Sequence, residues 1–528
     1  MTICLVYPNH YRTAMSNLGF QAVYSLLNAQ QDVVCERAFL PEHADLEEYR
    51  QGRTPLLSIE SQRPLADFDL IAFSISFESD YLNVPVILSL ANVPPLGSDR
   101  SSSHPLVMAG GAAMFLNPEP VADLFDLICV GEGEVIVPQL LELLRRDSGE
   151  DRSEFLRDAA ALPGIYIPAL YDIEYAGQAV AAIRPHAGAP PCITRVWAKD
   201  MDSAPVGSCM FTPDTEFSDI YLLEISRGCP RGCRFCAAGF IYEPYRQRSF
   251  EAVRQQATLA LESHQRIGLV GAAVGDFGRI GDLCRGIRDQ GGKVTVASLR
   301  VDTLDDEMIR VLVESGHKTV SLAPEGASQR MRDLIRKGIT TEQIVQASER
   351  LIRHDILNLK LYFIIGLPTE TMSDLEEMVP LVEELRSRVT SAARSNRRLG
   401  QIVLSINPFV PKPFTPFQWC GMAPYSDLEK KSAFLRRAFS RMPNVKVQIE
   451  GLKDAVIQAL LSRGDRRLGR MIIRAAESGG WRRAARDMGL DVEGLVCRSM
   501  PLEDILPWDI ICCEKRERLA AEYQRAFT

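Results

Sequence analysis

Long apolar runs are missing from this chain of 528 residues. No stretch approaches the roughly 18 apolar residues that a membrane-spanning helix needs. The N-terminal MTICLVYPNHYRTAM lacks a basic n-region, and its apolar run ICLV is too short for a signal peptide. The chain is therefore expected to be cytoplasmic, with no membrane insertion. Excess positive charge is missing too: the net charge of −8 argues against bulk attraction to nucleic acid, while a local basic face stays open. Repeats and low-complexity segments are absent, and histidine is scarce, at 7 residues. Cysteine numbers only 13, and in a reducing compartment clustered cysteines bind metal or do chemistry rather than form disulfides. What remains, 46% hydrophobic and 24% charged, is the balance of a globular protein. Its length suits about two to four domains.

Near-continuous apolar strands open the chain at Thr2–Asn9, Asp32–Leu40, Asp69–Ser76, Pro105–Gly111 and Asp126–Glu134. Helical patterns at Ser16–Asn28, Tyr81–Val93 and Glu134–Arg146 lie between and after them. That alternation predicts a parallel sheet covered on both faces. A ligand of such a sheet sits beyond the strand C-termini, where Gly110-Gly111 and Gly131-Glu132-Gly133 fall, although each glycine also suits a plain tight turn. Residues 163–217, rich in Pro, Gly and Ala without a period, read as a linker. Strands then recur at Ile220–Ser226, Arg266–Ala273, Lys293–Arg300, Thr319–Gly326, Asn358–Pro368 and Gln401–Pro411. Capping boxes are expected at Thr340 with Gln343 and at Ser373 with Glu376. Repeated β-then-α units of this kind build a full or partial parallel barrel, whose active face lies at the strand C-termini. After about residue 424 the pattern turns to amphipathic helices.

The stretch RGCPRGCRFCAAGF, Arg227 to Phe240, follows the first of these six strands and holds Cys229, Cys233 and Cys236. Thiolates suit zinc and iron–sulfur clusters alike. A structural zinc site normally takes four ligands. Here three come as C-x3-C-x2-C, the next cysteine is Cys284, about 50 residues on, and His264 falls in a stretch read as helix. Three close thiolates can hold three corners of a [4Fe–4S] cube and leave one iron open to a small molecule. Arg227, Arg231 and Arg234 can offset the charge of such a cluster.

This loop, with Phe235 before its third cysteine, resembles the signature of radical S-adenosylmethionine (SAM) enzymes, and the resemblance spans all six strands of the second unit. It implies that Cys229, Cys233 and Cys236 ligate a [4Fe–4S] cluster whose open iron chelates SAM. Reduction by a donor such as flavodoxin or ferredoxin would then cleave SAM to a 5′-deoxyadenosyl radical, with Phe235 packing near the adenine. It further implies cofactor contacts at Gly275 and Asp276 after the second strand, a variant of the family's glycine-rich motif, and at Ser298 and Arg300 near the SAM carboxylate. Glu325 would lie near the ribose, and Gly366 of IIGLPTET against the adenine.

The first domain, through MAGGAAMFLNPEP and DLICVGEGE, resembles the cobalamin-binding-like domain that precedes the barrel in one subgroup. The D-x-H-x-x-G motif of a cobalt-ligating histidine is absent, as it is in many members of that subgroup, so cobalamin stays open. YPNHYRTAMSNLGFQAVYSLLN, NPFVPKPFTPFQW, SRGDRRLG and LPWDII together resemble an uncharacterised subfamily of the same three-part architecture. Pro411, Lys412 and Pro413 could line its substrate mouth.

The expected architecture is α/β: a Rossmann-like, flavodoxin-type N-terminal domain (1–162), a linker (163–217), a partial (β/α)6 radical SAM barrel (218–424) and a small helical C-terminal domain (425–528). The expected activity is reductive SAM cleavage driving radical chemistry on an unidentified small-molecule or RNA substrate. Cobalamin-dependent methylation of an unreactive carbon stands beside cobalamin-independent oxidation, rearrangement or sulfur insertion. A metal-bound, non-catalytic RNA-binding module is the reading from another class. Eight tail arginines, Arg463, Arg466, Arg467, Arg470, Arg474, Arg482, Arg483 and Arg486, could meet an anionic partner such as RNA, or form a solvated face. The adjacent Cys512 and Cys513 cannot easily ligate one metal, and read as packing or incidental placement.

Overall fold

The computed structural model describes residues 1–146, 151–204, 206–297, 299–396 and 399–528. Each of the first five expected strands forms: β1 (Thr2–Tyr7), β2 (Val34–Phe39), β3 (Leu70–Ser74), β4 (Leu106–Gly110) and β5 (Leu127–Cys129). A sixth, β6 (Ile165–Tyr166), closes the edge antiparallel to β5. The sheet runs in the order β2-β1-β3-β4-β5-β6, and β1 to β5 are parallel. Every residue of β3 is buried, as the central strand of a sheet covered on both faces requires. The order 2-1-3 places the switch point between β1 and β3.

The segment read as a linker contains regular structure. Within it β7 (Tyr171–Ala176) and β8 (Ala179–Pro185) pair antiparallel as a hairpin. Only one face of β7 is covered, so it has no continuous apolar run to mark it.

The second unit begins with β9 (Tyr221–Glu224). Two short strands, β10 (Ser226–Arg227) and β11 (Arg246–Gln247), pair antiparallel at the base of the cysteine loop. Then come β12 (Arg266–Val270), β13 (Lys293–Val296), β14 (Thr319–Glu325), β15 (Asn358–Ile365) and β16 (Ile402–Pro408). The six expected strands are all present, in the parallel arrays β13-β12-β9 and β14-β15-β16, and a parallel Leu299–Leu322 bridge connects the two arrays. The last strand, β17 (Val445–Ile449), lies in the region expected to be purely helical. Its residues alternate between half-buried and exposed, so it carries no core strand's apolar signature.

Helices Tyr425–Phe439, Leu452–Arg463, Leu468–Ser478 and Trp481–Asp487 match the amphipathic stretches of the tail. The Thr340–Gln343 capping box forms. The second expected box does not: Ser373 lies inside the helix Met372–Glu376, and Thr371 caps it, with Asp374 accepting from the Thr371 N–H at 2.8 Å. One continuous apolar core holds Ile71 of the first sheet, Leu361 of the second and Leu460 of the tail, so the three parts pack as one body.

The tail cysteines also depart from expectation. Cys512 is disulfide-bonded to Cys192 of the supposed linker, 320 residues away in sequence. Adjacency to Cys513 bars shared metal ligation but leaves a distant thiol free to pair.

Candidate functional site

β9 delivers the cysteine loop to the C-terminal edge of the barrel strands. Cys233 is buried, while Cys229 and Cys236 are half-buried. The three thiols act on one another. Burial, and then the neighbouring Cys233, pushes Cys236 up to about 11. Burial likewise raises Cys229, with Cys233 adding to it. A set of this kind is held as thiolates only when cationic metal compensates the mutual repulsion. The donor set is soft and carried by one loop, which suits an iron–sulfur cluster.

The loop's arginines do not stand free. Arg227 donates from Nε to Glu224 at 2.8 Å and meets Glu132 at 2.9 Å and Glu134 at 2.5 Å. Burial works against its charge, yet the carboxylates more than offset this and its pKa is raised. Glu132, only 6% exposed, also receives Arg246 at 2.6 Å. Burial opposes the Glu132 charge, but Arg246 and Arg227 hold its carboxyl below the usual range. Arg231 donates from Nε to Asp276 at 3.0 Å and from Nη1 to Asp302 at 3.2 Å. Arg234 reaches Glu522 of the C-terminal helix Arg516–Phe527 at 2.9 Å and the Leu334 carbonyl at 2.6 Å. Each of these arginines is matched by protein carboxylates and ties the loop to a different part of the chain, and Arg231 also lies within electrostatic reach of Cys229.

Around the cysteines the strand ends assemble several expected positions. Asp276 and Arg300 both lie within electrostatic reach of Cys229, and Glu325 within reach of Cys236. Arg300 is oriented by Asp302 at 2.9 Å and by the Lys337 carbonyl at 3.0 Å. Glu325 accepts from Lys337 at 3.3 Å. Gly275 packs against Thr303, whose Oγ1 would lie 2.3 Å from an added Cβ. Ser298 lies outside the described residues. Phe235 packs against an apolar cluster that includes Ile364, Leu367 and Phe417. Gly366 is close to Leu428 and Ala423, and its N–H donates to Glu370 at 2.7 Å. Its tight approach is therefore to the helix Tyr425–Phe439. Glu370 is in turn paired with buried Lys431 at 3.0 Å.

The glycines at the ends of β4 and β5 serve the chain itself. A Cβ on Gly111 would meet the Ile75 backbone at 2.5 Å, and one on Gly131 the Val196 backbone at 2.4 Å. At the β1/β3 switch point, Asn9 donates to Asp80 at 2.8 Å and Asn17 to Ser76 at 3.0 Å. Asp80 Oδ2 is buried without a hydrogen-bond partner, and Phe77 beside it is 54% exposed. Lys412 does not line an open mouth: it pairs with buried Glu78 at 2.7 Å and so joins the first domain to the end of β16. Sequence reasoning missed Glu224, Arg246 and Glu522 as partners of the loop. The paired acids of GEGE were the one visible signal, and the family resemblance had absorbed them.

Residues 19–168 match the N-terminal domain family of radical SAM proteins, and residues 223–382 match the radical SAM superfamily. An uncharacterised protein of Methanocaldococcus jannaschii is 27% identical over 480 residues, covering 89% of this chain and 90% of its own. An uncharacterised methyltransferase of Pyrococcus horikoshii is 24% identical, over 53% of this chain and 58% of that protein. The ribosomal protein uS12 methylthiotransferase RimO of Thermotoga maritima is 27% identical over 33% of this chain and 43% of its own. This chain thus spans about half the length of these last two relatives. Among solved structures, the cobalamin-dependent SAM radical enzyme OxsB, with aqua-cobalamin bound, aligns with a TM-score of 0.49 at 17% identity, over 72% of this chain and 52% of that one. No helix among the described residues is long and apolar enough to cross a membrane. The chain thus carries a radical SAM superfamily domain at 223–382, preceded by the N-terminal domain of such proteins at 19–168, and this family implies a [4Fe–4S] cluster and SAM as cofactors.

Proposed function

We propose that this chain is a radical SAM methylating enzyme that modifies an unreactive carbon, with its cluster held by Cys229, Cys233 and Cys236. The observation that carries the reading is the three-cysteine loop at the strand ends, with Asp276, Arg300 and Glu325 around it. Bound there, the cluster supplies the electron that cleaves SAM. The chain's own residues hold and orient. Asp276 and Arg300 offer opposite charges suited to the amino and carboxylate groups of SAM, and Phe235 and Ile364 provide an apolar wall.

A corrinoid would be held at the β1/β3 switch point by Asn9, Ser76, Phe77 and Asp80. The unpartnered buried Asp80 Oδ2 and the exposed Phe77 ring suit a large cofactor fringed with amides, and no protein histidine need ligate its metal. When bound, that group supplies the methyl carrier. The methyltransferase name of the Pyrococcus relative supports the outcome.

Anaerobic reconstitution tests the reading. About four irons per chain, 5′-deoxyadenosine on reduction with flavodoxin or ferredoxin, and loss of both in Cys233→Ala are expected. Zinc in place of iron would refute the cluster. Failure of hydroxocobalamin to co-elute, with SAM cleavage intact, would replace methylation by a cobalamin-independent oxidation, rearrangement or sulfur insertion.

A further inference from the structure

A cavity of about 320 Å³ lies in the C-terminal domain, between the β7–β8 hairpin and the segment 488–507. That volume is in the range of sites for small organic ligands. None of the residues lining it comes from the cysteine loop or from the barrel strand ends.

Its walls join apolar side chains, among them Leu468, Met471 and Met500, to two arginines of unusual standing, Arg463 and Arg498. Arg463 is only 4% exposed. Its guanidinium donates to main-chain carbonyls alone, to Val496 at 2.5 Å and Arg498 at 2.6 Å, with a longer bond to Leu495 at 3.3 Å. Its Nε, like that of Arg498, is buried without a hydrogen-bond partner. Among the described residues no carboxylate forms an ion pair with either arginine, whereas Arg466, Arg467 and Arg474 nearby in sequence all have one. Burial and then the charge of Arg498 push Arg463 down to about 10. Three carboxylates also line the cavity. Asp465 is held by Arg467 at 2.7 Å. Asp491 is exposed and caps the helix Val492–Cys497, and Asp504 is half-exposed. None neutralises the inner pair.

A buried guanidinium without a counter-ion is costly, and Arg463, with half-buried Arg498 beside it, leaves a place in this cavity for a carboxylate or phosphate with a hydrophobic body. We infer that this cavity is a second binding site, distinct from the cysteine loop, for an anionic amphiphile whose acid group meets Arg463 and Arg498 and whose apolar body fills the space beside Met471 and Met500.

The test uses the full iron-loaded chain, with octanoate and octyl phosphate as probes and octanol and octylammonium as controls, read by thermal unfolding and calorimetry. Saturable binding of one or both anions, with neither control binding comparably, is expected. Arg463 ties three carbonyls and its replacement could unfold the domain, so Arg498→Met is the diagnostic variant. It should weaken anion binding by about tenfold or more, the size of a lost charge-assisted contact. Arg498→Lys should restore part of it, and iron content should be unchanged in both. Equal binding of octanol or octylammonium, an unchanged anion affinity in Arg498→Met, or the absence of any saturable binding would each overturn the inference.

Discussion

At the scale of single residues, Glu132 shows how a buried charge is maintained. It lies between Arg227 and Arg246 and also accepts the Ala198 N–H at 2.8 Å. Glu132→Gln keeps the volume but leaves two guanidiniums short of a carboxylate. Breaking such a buried network costs about 3 kcal/mol, so the variant should unfold earlier in denaturant and load less iron. Asp80 offers the opposite case. Burial, with the charge of Glu78 adding to it, raises its pKa to about 7 against the bond from Asn9. The folded chain therefore keeps this proton up to about pH 7, while the unfolded chain releases it near about 4. The stabilising contribution is complete below about pH 4 and is lost as pH rises through about 7. Asp80→Asn, whose amide oxygen can still accept from Asn9, should be more thermostable than the parent at pH 8. The difference should vanish toward pH 4, and melting curves at the two pH values decide it.

Among elements, the C-terminal helix Arg516–Phe527 is a partner of the cysteine loop, through Glu522 and Arg234. Glu522→Ala should cost about 2 kcal/mol and hasten iron loss to a chelator, which absorbance of the released iron would follow. This partnership was not legible in sequence, because 288 residues separate its two ends. What was legible is what one segment decides by itself. The apolar runs at Ile3–Val6 and Leu361–Ile365 announce buried strands before any partner is known. The spacing of Cys229, Cys233 and Cys236 announces shared ligation. By contrast, β17 and the β7–β8 hairpin cover only one face, so their side chains alternate too weakly to stand out. The Ser373 box failed for a local reason: Thr371, two residues earlier, offers an equally good cap and Asp374 answers it. Of the eight tail arginines, Arg463, Arg466, Arg467, Arg474 and Arg483 are engaged with carbonyls or carboxylates, so a basic face for RNA is narrower than their number suggested.

For the molecule as a whole, the Cys192–Cys512 disulfide closes a loop of 320 residues. Cross-links of this kind stabilise by roughly 2–4 kcal/mol, mainly through the unfolded chain. Thiol reductant should therefore lower the unfolding temperature of the parent, while Cys512→Ser should start lower and show no further fall. A larger consequence attaches to the three arginines of the cysteine loop. Arg227 reaches the first domain, Arg231 the barrel strand ends and Arg234 the C-terminal helix. Whatever orders that loop must then be felt in three places at once, and whatever loosens any one of them must weaken the grip on iron. Cofactor loading and domain docking thus draw on one shared free energy, and linkage makes the dependence reciprocal. Hydrogen exchange of the apo and iron-loaded chains would display it as protection gained together around Glu132, Asp276 and Glu522, three sites that share no sequence neighbourhood and answer to a single event.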